Sequence, residues 1–348
     1  MNVLADFHHA SLLNSLIMLF EGRLGGQVYR PIGREWYDEG YWKIFDHPAT
    51  VEQFLGIGSA TPDGSPKLNE VVGDLGGLYL CNDIDSGKTN RAITLESFKS
   101  MPFDIVIASI PQHIEPFKEL IRKYKPEAKL IFQIGNAWTI DANSVDNVMA
   151  SAVVPNVPFG INFVSYHQEF DTKIFRSGGT FQDKDIYSFI NCFNVADIFR
   201  EDWELFTQME SLMPEWNFRA FGGQCRDGSK NGTNQLAGSM RTCRFAWHTK
   251  KGGDGYGHCL HNLGSIGKPF VIKAEYYRGK MAESFIIDGE TCLTIDGLSP
   301  EEIKNKIEYF SENDRYLKLT NNLIHKFREV VDFDKDAEKI KEFLAHLL

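Results

Sequence analysis

Residues 103–134 constrain the fold more than any other stretch of the chain. The run 103–109 (FDIVIAS) is apolar on both faces, as a strand buried in a parallel sheet must be. Ile114, Phe117, Leu120, Ile121 and Tyr124 then recur at helical spacing over 114–125, and a second apolar run, 129–134 (KLIFQI), follows. Strand, amphipathic helix and strand in this order make a β-α-β unit joining two parallel strands. The same rhythm surrounds it. Residues 2–5 read as a strand, 10–21 as a helix with Leu12, Leu13, Leu16, Ile17, Leu19 and Phe20 apolar, and 27–30 as a strand. Beyond residue 168 strands are expected at 186–193, 216–221, 243–248 and 269–274. Helices are expected at 201–212, 234–240, 258–266, 300–312, 314–329 and 335–348, with Ser299 and Pro300 opening the helix at 300. Residues 31–68 read as an irregular stretch rich in Gly, Pro and rings (Trp36, Tyr37, Tyr41, Trp42), and 142–168, with Pro155 and Pro158, as a crossover between domains. At 348 residues the chain is long for one domain, so an α/β protein of two domains is expected.

The net charge is −10, which argues against a dedicated binder of nucleic acid or anionic membrane. Six cysteines are scattered with no C-x-x-C pair, so they read as reduced core thiols. The apolar run 12–20 is too short to span a bilayer and lacks the flanks of a leader; a soluble, cytoplasmic protein without stable membrane insertion is expected.

Residues 243–271 (CRFAWHTKKGGDGYGHCLHNLGSIGKPFV) carry the chemistry. A strand enters a loop with four glycines and then a helix. Glycines let the backbone approach a ligand, and a helix N-terminus offers free N–H groups and partial positive charge, which suits a pyrophosphate. From Arg219 to Lys280 eleven basic residues face three acidic ones, a local balance of +8. A diphosphate requires such compensation.

Ordered landmarks here resemble the donor domain of GT-B glycosyltransferases of the family-four-like, retaining type. That group has an E-G-F-G turn after a strand, a second Glu eight residues later, and a G-x-P-V strand entry. This chain has Asp254-Gly255-Tyr256-Gly257, then Asn262, then Gly267-Lys268-Pro269-Phe270-Val271. Asp171 to Phe175 resembles the turn that opens the family's donor domain. Arg200 stands where the family has a phosphate-binding Lys, and Phe221-Gly222-Gly223 resembles its glycine turn. The resemblance covers about 169–330. It implies a GT-B fold, two Rossmann-like domains facing a central cleft: an acceptor-side domain over 1–165, a donor domain over 166–330, and a last helix, 331–348, packing back across the cleft. Arg200, Gly222, Gly223, His248, Lys250, Gly255, Tyr256, Gly257 and Asn262 are the expected donor-binding set, and Asp254 lies near the transferred sugar. The departures are Val195 for the family's Arg, Asn262 for its second Glu, and Asp254 for its first.

In the N-terminal half, His8 and His9 follow the first strand and His113 follows the strand at 103–109. Each is a candidate base for deprotonating an acceptor hydroxyl, with Asp6 orienting His8 or His9. His258 and His261 share a helix face, but no acidic or Cys ligand completes a metal set at the usual spacing, and no D-x-D signature occurs. The expected activity is metal-independent, cofactor-free transfer of a hexose from a nucleotide sugar, a UDP-sugar such as UDP-glucose, to a hydroxyl. The acceptor stays open among a glycan, a small molecule and a hydroxymethylated DNA base, and the rings of 31–68 offer a stacking surface. Two alternatives stand beside it: a nucleotide-sugar epimerase on the same fold, and a catalytically degenerate sugar-nucleotide-binding protein.

Overall fold

A computed structural model describes residues 1–6, 10–43, 69–83, 88–135, 145–178, 184–230 and 232–348. The chain divides into two compact units, 1–170 with 333–348, and 171–332.

The first unit is built on one sheet of nine described strands: β1 (Asn2–Ala5), β2 (Gln27–Pro31), β3 (Asn69–Asp74), β4 (Leu78–Asp83), β5 (Thr89–Ile93), β6 (Ile105–Ala108), β7 (Lys129–Ile134), β8 (Asn147–Ala150) and β9 (Asn162–Ser165), in the order β3-β4-β5-β2-β1-β6-β7-β8-β9. From β5 to β9 neighbouring strands are parallel; β3, β4 and β5 pair antiparallel. Both sheet faces are covered, which is why the central strands are apolar throughout. Val3 and Ala5 meet Leu12, Leu13, Leu16 and Phe20 of α1 (Ala10–Phe20) on one face. Leu4, between them in sequence, points to the other face, where Phe98 of α3 (Leu95–Ser100) and Phe117 of α4 (Ile114–Tyr124) pack.

Two expectations are corrected here, and the place of the last helix is added. The stretch from 31 holds a short helix, α2 (Glu35–Asp38), and Trp36, Tyr41 and Trp42 are buried in the core; the Trp36 indole N–H donates to the carbonyl of Ile93 at 3.0 Å. These rings therefore fill the interior and offer no stacking surface. Residues 44–68 of that stretch lie outside the described residues. Residues 142–168 are not a crossover: β8 and β9 within them extend the first sheet. The last helix, α10 (Phe333–Ala345), belongs to the first unit, where Ala337, Ile340, Phe343 and Leu344 join the core that holds Met149, Val164 and Tyr166. Its Asp336 accepts from the N–H of His167 at 2.9 Å and bonds the His167 Nδ1 at 2.7 Å. Arg23 joins Glu169 at 2.7 Å and also pairs with Asp334.

The second unit has a fully parallel sheet of β10 (Asp185–Ser188), β11 (Asn217–Ala220), β12 (Phe245–Trp247), β13 (Phe270–Ile272) and β14 (Leu293–Thr294), in the order β11-β10-β12-β13-β14. Its helices are α5 (Arg200–Leu212), α6 (Gly232–Thr242), α7 (His258–Ile266), α8 (Pro300–Ser311) and α9 (Asn313–Val330). β10 ends at Ser188, short of the expected 193, and residues 191–195 form a turn in which Cys192 takes a left-handed φ of 58°. Ser299 caps α8 in a capping box with Glu302. α9 lies so close on α7 that a Cβ at Gly264 would sit 2.6 Å from the Phe327 ring.

Candidate functional site

In the second sheet the chain steps from β10 to β11 on one side and then to β12, β13 and β14 on the other. The strand order therefore reverses between β10 and β12, and open α/β sheets bind ligands outside the carboxyl ends of strands at such a point. The loops leaving β10 and β11 are knit together there. The N–H of Gly223 donates to Asn191 Oδ1 at 2.8 Å, the N–H of Cys192 to the carbonyl of Gly223 at 2.8 Å, and the N–H of Arg226 to Asn194 Oδ1 at 3.0 Å. A Cβ at Gly222 would meet Asn191 and the Ile190 carbonyl at about 3.0 Å, so this glycine is explained by loop packing.

The loop from β12 to α7 holds most of the expected residues. Gly252 (φ 81°) and Gly253 (φ 57°) are left-handed, and Gly253 passes the Tyr276 carbonyl so closely that a Cβ would sit 2.3 Å from it. Lys250 and Asp254 form an ion pair across the turn, and Lys280 donates to the Gly252 carbonyl. Burial pushes the Asp254 carboxyl up, but the Lys250 ammonium outweighs it and holds the group below its ordinary range. Gly257, left-handed at φ 81°, precedes α7 and, having no side chain, makes no side-chain capping bond among the described residues. The start of α7 thus stands at the carboxyl edge with the partial positive charge of the helix behind it.

Tyr256, expected to touch the donor, is buried, its ring stacked on His261 at 4.0 Å and edge-on to His258 at 4.8 Å. Its phenol ring is a packing element. His248 bonds the Tyr277 hydroxyl through Nε2 at 2.7 Å, and its Nδ1 has no partner among the described residues. Burial brings the His248 imidazole down to about 4, so it is neutral at physiological pH. Asn262, on the second turn of α7, is buried with Oδ1 unpartnered among the described residues.

Arg200 opens α5 with its side chain 67% exposed and paired with Asp197. The next two residues bind this helix start to the other loops. Glu201 pairs with Lys251 at 3.1 Å, and buried Asp202 accepts from Lys273 at 2.7 Å and from the Tyr276 hydroxyl at 3.1 Å. The Asp202–Lys273–Tyr276 cluster escaped the sequence reading. Its only signal was an acid in a first helical turn, which serves a helix dipole equally well.

In the first unit, Asp6 follows β1 and Ser109 follows β6, side by side at the carboxyl edge. Asp6 Oδ1 accepts from the N–H of Ser109 at 2.5 Å, and Oδ2 bonds Nδ1 of His113. Both side chains are buried, the Trp42 ring lies 4.7 Å from the imidazole, and Nε2 has no partner among the described residues. Asp6 thus orients His113; the expected His8 and His9 lie outside the described residues.

No family model matches the chain, and the curated proteins contain no significant match. Solved structures do match along the whole length. Alr3699/HepE of Anabaena, crystallised with UDP and glucose, aligns with a TM-score of 0.62 at 10% identity over 99% of each chain. A glycosyltransferase from Rickettsia africae aligns with a TM-score of 0.62 at 11% identity, covering 99% of this chain and 98% of that one. An α-glucosyltransferase in complex with UDP and a 13-mer DNA aligns at 0.60 and 9% identity, covering 100% and 99%. The chain has the GT-B fold, with two Rossmann-like units.

Proposed function

We propose that the protein transfers a hexose from a nucleoside diphosphate sugar, a UDP-sugar, to an acceptor hydroxyl. The observation that carries this reading is the start of α7 behind left-handed Gly257, after β12 at the strand-order reversal, with Lys250 on the loop that enters it and Lys280 reaching that loop's Gly252 carbonyl. Donor complexes with UDP among the structural neighbours support it.

In this reading the α7 amides and Gly255–Gly257 hold the diphosphate, with Arg200 and Lys250 neutralising it. Lys250 exchanges Asp254 for a phosphate oxygen, which frees the Asp254 carboxylate for a sugar hydroxyl. Asn262 Oδ1 and the neutral His248 supply uncharged partners to ribose or sugar hydroxyls. The bond from the sugar C1 to the β-phosphate oxygen breaks, and its electron pair leaves with UDP. The acceptor oxygen bonds C1 and gives up its proton. Asp6 holds His113 through Nδ1, which leaves Nε2 to take that proton. The cations and amides compensate the leaving diphosphate, so turnover should persist in a chelator.

A panel of nucleotide sugars, read by melting temperature and then by hydrolysis and transfer, tests the reading. Arg200→Ala should weaken UDP binding roughly tenfold to a hundredfold, the weight of a hydrogen bond to a charged group. His113→Ala should keep UDP affinity and lose transfer. If no nucleotide sugar raises the melting temperature, the donor site is wrong, and unchanged UDP affinity in Arg200→Ala removes that residue from it. Binding without turnover would favour a sugar-nucleotide-binding protein, the reading that the Lys250–Asp254 pair and the uncharged Asn262 support. A changed UDP-sugar without acceptor would mean an epimerase.

A further inference from the structure

We propose that Asp202 is a positioning residue for the donor loop, a role that rests on the donor reading above: from the first turn of α5 it anchors Tyr276, and through Tyr276 it holds residues 250–257 ready for a diphosphate. Asp202 has no exposed surface. Its Oδ1 accepts from the Lys273 ammonium at 2.7 Å and from the Tyr276 hydroxyl at 3.1 Å, and Lys273 also donates to the Tyr276 hydroxyl oxygen at 3.1 Å. Burial pulls the Lys273 ammonium down, but its bonds to Asp202 and Tyr276 outweigh that and hold it above its ordinary range. A carboxylate wholly out of water is costly, and a buried ion pair is seldom more stable than apolar groups of the same volume. What a buried, bonded carboxylate adds is position: it sets α5 against the segment that follows β13 to within a hydrogen bond.

That segment is the wall behind the donor loop. β13 ends at Ile272, and Ala274–Tyr277 form a short 3₁₀ turn whose first N–H groups, of Ala274 and Glu275, each donate to the Asp296 carboxylate at 2.9 Å. The chain then meets the loop from β12 to α7 at successive residues. The Tyr276 carbonyl stands where a Cβ of Gly253 would collide with it, the Tyr277 hydroxyl bonds His248 at 2.7 Å, and Lys280 donates to the Gly252 carbonyl. Asp296 fixes the backbone where the turn begins, and Asp202 fixes the side chain of the residue that touches the loop. Arg200 stands two residues before Asp202 on the same helix. One carboxylate therefore ties the helix of Arg200 and the loop of Lys250 to a common wall. The tie from Glu201 to Lys251 at 3.1 Å cannot replace it, because both side chains are at the surface and such a pair holds little. A loop already in place needs no ordering when the ligand arrives, which is the use of a rigid wall behind a phosphate site.

Hydrogen exchange of the full ligand-free chain tests the anchor, and UDP titration tests what the anchor is for. Two variants serve: Asp202→Asn, and Tyr276→Phe, which removes one hydroxyl and leaves the Asp202–Lys273 pair. Each should speed amide exchange in residues 250–257 roughly tenfold, the weight of a hydrogen bond to a charged group, while α8 and α9 keep wild-type rates. UDP affinity should fall by a similar factor, and saturating UDP should bring exchange in 250–257 back to the wild-type rate. With UDP-glucose as donor, KM should rise roughly tenfold and kcat stay within about twofold, the mark of ordering that binding must supply. Glu201→Gln should change none of these by more than about twofold. A melting temperature that falls while exchange and UDP affinity stay at wild-type values makes Asp202 a stabilising group alone and overturns the proposal. So does faster exchange with unchanged UDP affinity, or a loss confined to kcat. If the wild type itself binds no UDP, the donor reading falls, while exchange in 250–257 still decides whether Asp202 anchors the loop. Should Asp202→Asn fail to fold, Tyr276→Phe carries the test.

Discussion

His248 shows what burial does to a single group. Its Nε2 is held by Tyr277 and its ring is enclosed, so burial takes the imidazole down to about 4 from an ordinary 6.5. The folded form therefore resists the proton that the unfolded chain accepts. Above pH 6.5 neither state binds it and His248 costs nothing; as the pH falls from 6.5 to 4 the unfolded state gains the proton and stability drops, by roughly 3 kcal/mol in total at about 1.4 kcal/mol per pH unit. Urea titrations between these limits should show wild type losing stability more steeply than His248→Gln by about one proton. Equal slopes would mean that His248 is protonated in the fold. Of this arrangement the sequence shows only a histidine at a strand end. The Asp6–His113 pair was legible to the same degree: both residues stood at strand ends, but 107 positions separate them, and only the parallel pairing of β1 with β6 brings them together.

At the scale of elements, the glycine loop divides into positions of different character. Gly252 and Gly253 are both left-handed, yet a Cβ at Gly252 meets nothing within 4 Å while one at Gly253 meets backbone. Gly252→Ala should cost about 1–2 kcal/mol, the strain of left-handed backbone alone. Gly253→Ala must in addition push the chain off Tyr276, so its loss should be clearly the larger in urea melts. Matched losses would show that the loop relaxes. Strands buried on both faces, such as β6 and β7, declared themselves as apolar runs. β3 and β4 did not, because they lie at a sheet edge and mix polar with apolar residues: β3 reads NEVVGD. β8 and β9 were obscured by the prolines between them, which mark a connection as readily within a domain as between two. Trp36 and Trp42 misled for a different reason. A ring in a glycine-rich stretch has the same sequence signature whether it faces a ligand or the core.

The whole molecule is two units of unequal continuity. Residues 171–332 form an uninterrupted segment with a core of its own, running from Ile186 to Leu319. Expressed alone, this segment should melt cooperatively and, on the proposed function, keep UDP binding; a fragment without a melting transition would refute its autonomy. Residues 1–170 lack α10, and losing the burial of Ile340, Phe343 and Leu344 removes on the order of 5 kcal/mol, comparable to the whole stability of a domain. That fragment should therefore melt without cooperativity until a peptide of residues 333–348 is added. Two α/β domains were legible from the strand–helix rhythm, and the boundary falls five residues beyond the expected one, at 170. The return of the chain was implied by the family resemblance and not by the helix's own pattern, because an amphipathic helix records that it has an apolar face and not which sheet receives it.

That return gives synthesis a direction. The ribosome releases residues 333–348 only after every residue of the second unit, so the nascent first unit must wait, with the surface around Val164 and Tyr166 uncovered, while a complete neighbour folds downstream. The part of the protein made first is finished last, and during translation it is the part in need of a chaperone.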